Sequence, residues 1–267
     1  RRPRAPRGPR AGALVRGPAL SAWVLLRGWS REAPHWGEFP TQLRAAVGGE
    51  VVALDLPGNG AAHRLPSPTR VREAMEAARC ALAARGIAAP VNLLGLSMGA
   101  MVCIEWAHRH PGEVARCVLL NTSARPHAAL RERLKPSTYL RVAGALLARD
   151  VHVREHAILG LTSAQPAQHA RVLGDWVAYA GQFPVSRRNA LRQLLAAARY
   201  AAPRQRPEVP FLVLAGAADR LVDPVCSERL AMHWNVPFAS KPGAGHDLTL
   251  DAGMWVARQV ASWIRPT

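Results

Sequence analysis

The pentapeptide Gly95-Leu96-Ser97-Met98-Gly99 is where residue types and spacing in this chain first point to chemistry. A serine with a glycine two residues to either side fits a sharp turn, because larger side chains at those places would collide. The turn lifts the hydroxyl clear of its surroundings. A helix starting at Met98 would aim backbone N–H groups and a positive dipole end at a reacting carbonyl oxygen. A glycine-rich turn with a solvated serine is the plain alternative. A lone serine is a poor nucleophile near neutral pH, so it needs a base, and the base needs an orienting acid. His246, in Gly243-Ala244-Gly245-His246, is the candidate base; a surface-loop histidine is its alternative. Asp219 is the candidate acid and Asp223 its rival. Asp223 stands before Pro224, a place suited to a turn or a helix cap.

These three side chains need elements to hold them. Apolar runs at 22–26, 51–54, 91–94, 117–120 and 210–214 read as buried strands, with a shorter strand at 237–240. Helical stretches at 38–47, 71–85 and 98–110 alternate with the first four. Two more follow the later strands, at 227–233 and 254–264. Alternation of this kind makes parallel βαβ units and an open sheet covered by helices on both faces. Ser97 falls where strand 91–94 gives way to helix 98–110. Asp219 follows strand 210–214, and His246 lies between the last strand and the last helix. All three therefore sit on the C-terminal rim of the sheet, where open α/β sheets place their chemistry.

Between 125 and 200 no strand-like run occurs. Five helices are expected there, at 128–134, 138–147, 151–159, 167–179 and 186–198. The domain reading is a core of 18–124 and 201–267 with a helical insertion at 125–200. Residues 1–17 read as a basic, disordered tail rich in Pro, Arg and Gly.

The chain has 267 residues, enough for one α/β domain with an insertion. No apolar run reaches the roughly 18–20 residues that span a bilayer. The basic start is not followed by an apolar segment of the secretory kind, so a cytoplasmic protein is expected. Cys80, Cys103, Cys117 and Cys226 form no C-x-x-C pair, and reduced thiols are expected. The formal charge is +17, and 33 of the 35 basic residues are arginine. Such a field attracts anionic partners. The absence of a nucleic-acid module or of a basic stripe interleaved with aromatics argues against nucleic acid.

The motifs together resemble the α/β-hydrolase superfamily over about residues 20–267. The closest likeness is to lid-bearing serine esterases such as the pimeloyl-carrier-protein methyl ester esterase group. The shared marks are Gly-x-Ser-x-Gly, the Asp219-x-x-x-Asp223 stretch, Gly245-His246, and Asp55-Leu56-Pro57-Gly58-Asn59-Gly60. The order Ser97, Asp219, His246 is the order of that superfamily. The resemblance implies an α/β-hydrolase fold, a helical lid at 125–200, and an oxyanion hole made by the backbone N–H groups of Trp29 and Met98. Relatives usually carry His-Gly where this chain has Arg27-Gly28. Arg27 either keeps the hydrogen bonds of that loop by other means or sets a cation near the substrate. Arg27 and Gly28 are thus the candidate substrate contacts. Trp36 is expected to pack under the sheet, with a pocket wall as its alternative.

The insertion holds twelve Arg and Lys against four acids, +8 before histidines. A basic lid could dock an acidic acyl carrier protein or steer a carboxylate-bearing ester; a solvated helix face is the simpler reading. The expected function is cleavage of a small-molecule carboxylic ester through an acyl-enzyme on Ser97, with no metal or cofactor implied. Acyl transfer, thioester hydrolysis and non-catalytic binding are the competing readings.

Overall fold

The computed structural model describes residues 21–265. The expected tail at 1–17 lies outside the described residues. Six strands form one sheet: β1 (Trp23–Leu26), β2 (Val51–Leu54), β3 (Val91–Leu96), β4 (Val114–Leu120), β5 (Phe211–Gly216) and β6 (Phe238–Lys241). Their order is β2-β1-β3-β4-β5-β6, and every pairing is parallel.

The apolar strand runs are continuous because both faces of the sheet are buried. Successive side chains point to opposite faces. Val24 and Leu26 of β1, Leu93 of β3, Leu119 of β4 and Val213 of β5 enter one core. The alternate residues Leu25, Leu94, Val118 and Leu212 enter the other. The first core is closed by α2 (Val71–Ala84), α3 (Met98–Arg109) and α9 (Val225–Trp234). The second is closed by α1 (Phe39–Val47) and α10 (Leu248–Ile264). Trp36 is buried in that second core and stacks on Phe39, so packing is its role.

Some boundaries differ from expectation for local reasons. β4 starts three residues early, at Val114, because Val114, Arg116 and Cys117 pair with β3 although Arg116 is only half-buried. α10 starts at Leu248 rather than 254. Its first turn is separated from the rest by a kink at Ala252 (φ −151°, ψ 40°), which breaks the apolar periodicity. Pro166 and the turns up to residue 171 delay α7 to Val172–Gln182.

The chain between β4 and β5 carries five helices, α4 (Leu130–Arg133), α5 (Tyr139–Leu147), α6 (Val151–Thr162), α7 and α8 (Arg187–Arg199). No helix among the described residues is long and apolar enough to cross a membrane. Cys103, Cys117 and Cys226 are buried free thiols, and Cys80 is exposed.

Candidate active site

The turn between β3 and α3 holds Ser97 at φ 57°, ψ −118°, a backbone conformation that a non-glycine residue adopts only when its surroundings enforce it. Those surroundings are visible. The Ser97 N–H donates to the Leu120 carbonyl at 2.9 Å. A Cβ on Gly95 would lie 2.5 Å from the Ala100 nitrogen, and one on Gly99 would lie 2.0 Å from the Leu26 oxygen. Both flanking glycines are therefore required by close packing of β3, α3 and β1.

His246 and Asp219 meet on the neighbouring rim loops. His246 Nδ1–H donates to Asp219 Oδ2 at 2.6 Å, and both side chains are buried. The other ring nitrogen, Nε2, is left with the lone pair a base needs. Asp219 Oδ1 accepts the Leu221 and Val222 N–H groups at 2.8 and 3.0 Å. The acid loop and base loop are tied by the Ala218 N–H to the Ala244 carbonyl, 2.9 Å. Asp223 is elsewhere: its Oδ1 accepts the Val225 N–H at 3.1 Å and its other oxygen lies 3.8 Å from Lys135. It serves the turn into α9.

Four further residues support this pair and were not picked out from the sequence. Asn121, at the end of β4 with φ 46°, donates to Asp219 Oδ2 at 2.9 Å and to the Gly245 carbonyl at 3.2 Å. Asp251 accepts the Gly245 N–H at 2.7 Å and the Ala164 N–H at 2.8 Å, joining the base loop to the end of α6. Asp247 sits beside His246 and faces Arg27. Gln193 of α8 holds the loop after β1. An asparagine closing a strand beside the acid and an aspartate just after the base were the available signals.

Arg27 is buried at the wall of the cavity that Ser97 and His246 share. Its Nη2 donates to Asp247 Oδ2 at 2.6 Å and its Nη1 to Oδ1 at 3.2 Å. Burial by itself raises the Asp247 carboxyl, but the Arg27 charge and hydrogen bonds outweigh it and hold the carboxyl below the usual range. Of the two roles open to Arg27, keeping the loop's hydrogen bonds is the one its contacts fill. The guanidinium is engaged by a buried carboxylate, and Arg27 still lines the small cavity beside Ser97 and His246.

The loop after β1 runs against the nucleophile. A Cβ on Gly28 would stand 3.0 Å from Ser97 Cβ. The Trp29 and Met98 backbone N–H groups have no hydrogen-bond partner among the described residues. Ser97, His246, Gly28 and Trp29 line a cavity of about 50 Å³. Ser97 and Trp29 also line an apolar cavity of about 190 Å³, whose walls include Leu134, Val142 and Leu194 of the chain between β4 and β5.

A sheet of this order, with a serine elbow and an Asp–His pair on its rim, is the architecture of the α/β hydrolases, as solved structures bear out. A hydrolase from Pseudomonas aeruginosa superposes with TM-score 0.75 at 24% identity, covering 92% of this chain and 91% of the other. The enol-lactonase from Burkholderia xenovorans gives 0.75 at 19% identity, with the same coverage. Residues 22–253 match the family described as Serine aminopeptidase, S33, and the chain belongs to that α/β-hydrolase family. A relative from Neisseria meningitidis serogroup C, named pimeloyl-[acyl-carrier protein] methyl ester esterase, is 30% identical over 223 residues, which is 80% of this chain and 82% of the relative.

Proposed function

We propose that this hydrolase is a serine carboxylic ester hydrolase working through an acyl-enzyme on Ser97. The observation that carries the reading is that Ser97 and His246 line one small cavity while His246 Nδ1 is held by Asp219. His246 Nε2 takes the Ser97 proton as Oγ attacks the ester carbonyl carbon. The carbonyl oxygen becomes an oxyanion that accepts from the N–H groups of Met98 and Trp29. Collapse of the intermediate breaks the bond to the alkoxide, which leaves with the proton from His246. Water then repeats the sequence, with His246 as base, and frees the carboxylic acid. Asp219 holds the ring in the working tautomer through its hydrogen bond to Nδ1.

The acyl group belongs in the apolar cavity, which makes α4, α5 and α8 a lid over the substrate. Gly28 contacts the substrate only through its backbone. A cytoplasmic setting fits the buried free thiols. Acyl transfer or thioester hydrolysis would use the same groups with another acceptor or leaving group.

A carrier-linked ester is the second reading. The lid's exposed Arg141, Arg187 and Arg188, beside the exposed Leu140 and Leu147, would meet an acidic carrier protein. Reversing the charge of Arg187 and Arg188 should lower kcat/KM for carrier-linked esters and spare free esters. An unchanged ratio rejects docking there.

The primary test is labelling with a serine-directed phosphonate followed by site mapping. An adduct on Ser97, lost in Ser97→Ala, is the expected result. No adduct on folded protein, or one that survives Ser97→Ala, removes the proposal.

A further inference from the structure

We propose that the groove at the start of α2 binds a multiply charged phosphate group of the diphosphate class. The groove holds about 490 Å³ and lies between the beginning of α2, the C-terminal half of α3 and the end of α8. It shares no wall residue with the two Ser97 cavities. Four arginines line it, Arg70, Arg72, Arg109 and Arg199, against one carboxylate, Glu105. Glu105 is matched by Arg109 on the same helix. Arg70, Arg72 and Arg199 have no carboxylate partner among the described residues.

Two more groups border the same space. α2 is fourteen residues long, and its N-cap residue, Arg70, has extended backbone and gives no side-chain cap. Its first-turn N–H groups are thus free to donate, and the positive end of the helix dipole faces the groove where Val71 forms the wall. Glu73 is the only acid in that turn. Independently, the Tyr200 hydroxyl is buried and has no hydrogen-bond partner, although Tyr200 lines the groove. Burial and the nearby Glu105 charge keep the phenol protonated, so it can only gain by donating to an acceptor.

Three unpaired guanidiniums, a buried hydroxyl and a helix N-terminus are more donors than a carboxylate can accept. A phosphate brings three oxygens and up to two charges, and a diphosphate answers a site of this size and charge. The source of the group is either free phosphate or the diphosphate of a nucleotide or coenzyme.

The test is calorimetric titration of the full chain with inorganic pyrophosphate and, separately, with ADP, at fixed ionic strength. One saturable site is expected for at least one of them. The pair Arg72→Ala, Arg199→Ala should weaken it about tenfold or more, and Tyr200→Phe by about threefold, without loss of ester hydrolysis. Arg44→Ala with Arg258→Ala, on the opposite face of the sheet, should change nothing. Tighter binding of ADP points to a nucleotide; equal binding points to the phosphates alone. Absence of binding by both probes, or equal weakening by the opposite-face pair, overturns the proposal, since the second result would mean general attraction to a chain of formal charge +17. Neither outcome bears on Ser97, which the phosphonate reads separately.

Discussion

Arg27 and Asp247 are 220 residues apart in sequence and meet side by side, Nη2 to Oδ2 at 2.6 Å and Nη1 to Oδ1 at 3.2 Å. Gly28 and Trp29 follow the arginine, and His246 precedes the aspartate. One buried ion pair therefore joins the loop of Gly28 and Trp29 to the loop of His246.

Losing half of such a pair leaves a buried charge with no partner, which costs about 3–5 kcal/mol, whereas replacing both by apolar groups is often tolerated. Arg27→Met and Asp247→Leu should each lower stability by that amount and depress kcat. The double variant should recover most of the stability but not the kcat. Denaturant melts with steady-state kinetics on a neutral ester read both. Additive losses of stability would show that the two side chains act independently.

Acid and base limits of stability should have different origins. The Asp247 carboxyl is held below its unfolded value, so its contribution is present above the ordinary carboxylate range and is lost as pH falls through the depressed value. Glu32 behaves oppositely. Burial first, then the charge of Asp55 and of Glu155, push it up to about 7, against the opposing pull of Arg31. Its ionisation therefore costs stability as pH rises from about 4 through 7. His35, 3.9 Å from Glu32 Oε1, is itself kept neutral by burial and by Arg31. Glu32→Gln should match the parent protein near pH 4.5 and exceed it above pH 8, by at most about 3 kcal/mol. Melting temperatures across that range decide it; a constant difference at all pH values would rule out the titration.

Asn121 gives the acid one of its four hydrogen bonds and holds the base loop through the Gly245 carbonyl. A hydrogen bond to a charged group contributes about 1.5–3 kcal/mol. Asn121→Ala should lower kcat about tenfold to a hundredfold with little change in KM. A fall in stability with an unchanged kcat would assign Asn121 to folding alone.

Asn121 also marks where sequence reading stops. The turn at Ser97 was legible because two local glycines and a strand-to-helix change announce it. The rim positions of Asp219 and His246 were legible because each follows a strand that the apolar pattern reveals. Asn121 sits in Asn121-Thr122-Ser123, which reads as an ordinary loop, and its role depends on a left-handed backbone and on a residue 98 positions away. Arg27 was visible as a departure from the resemblance, but its partner was hidden. Asp247 accepts the Leu250 N–H and so also caps α10, whose kink at Ala252 disguises where that helix begins. The strands were readable because burial on both faces makes them uniformly apolar. The helices between β4 and β5 were readable as helices, but their contacts with the rim, polar through Gln193 and apolar where Val142 and Leu161 meet Leu221 and Val222, are long-range, which periodicity does not record.

Gln193 of α8 supplies the test of that last contact. It is buried, its Oε1 accepts the Ser30 N–H at 2.8 Å, and its Nε2 donates to Asn59 Oδ1 and Ser67 Oγ at 2.9 and 3.0 Å. The Trp29 indole N–H donates to the Ala190 carbonyl, one turn earlier on the same helix, at 2.9 Å. The loop beside Ser97 is thus fastened to α8 at two successive residues, Trp29 and Ser30, and Ser30 takes φ 51°. Gln193→Ala strips the Ser30 N–H and the Asn59 side-chain Oδ1 of this partner, at about 1–3 kcal/mol of stability. If the inserted segment sets the Trp29 N–H for the oxyanion, kcat should fall about tenfold while KM for a neutral ester stays near its parent value, because the lost contact acts in the transition state. Equal stability loss with unchanged kcat would confine Gln193 to packing and detach the inserted helices from the chemistry at Ser97.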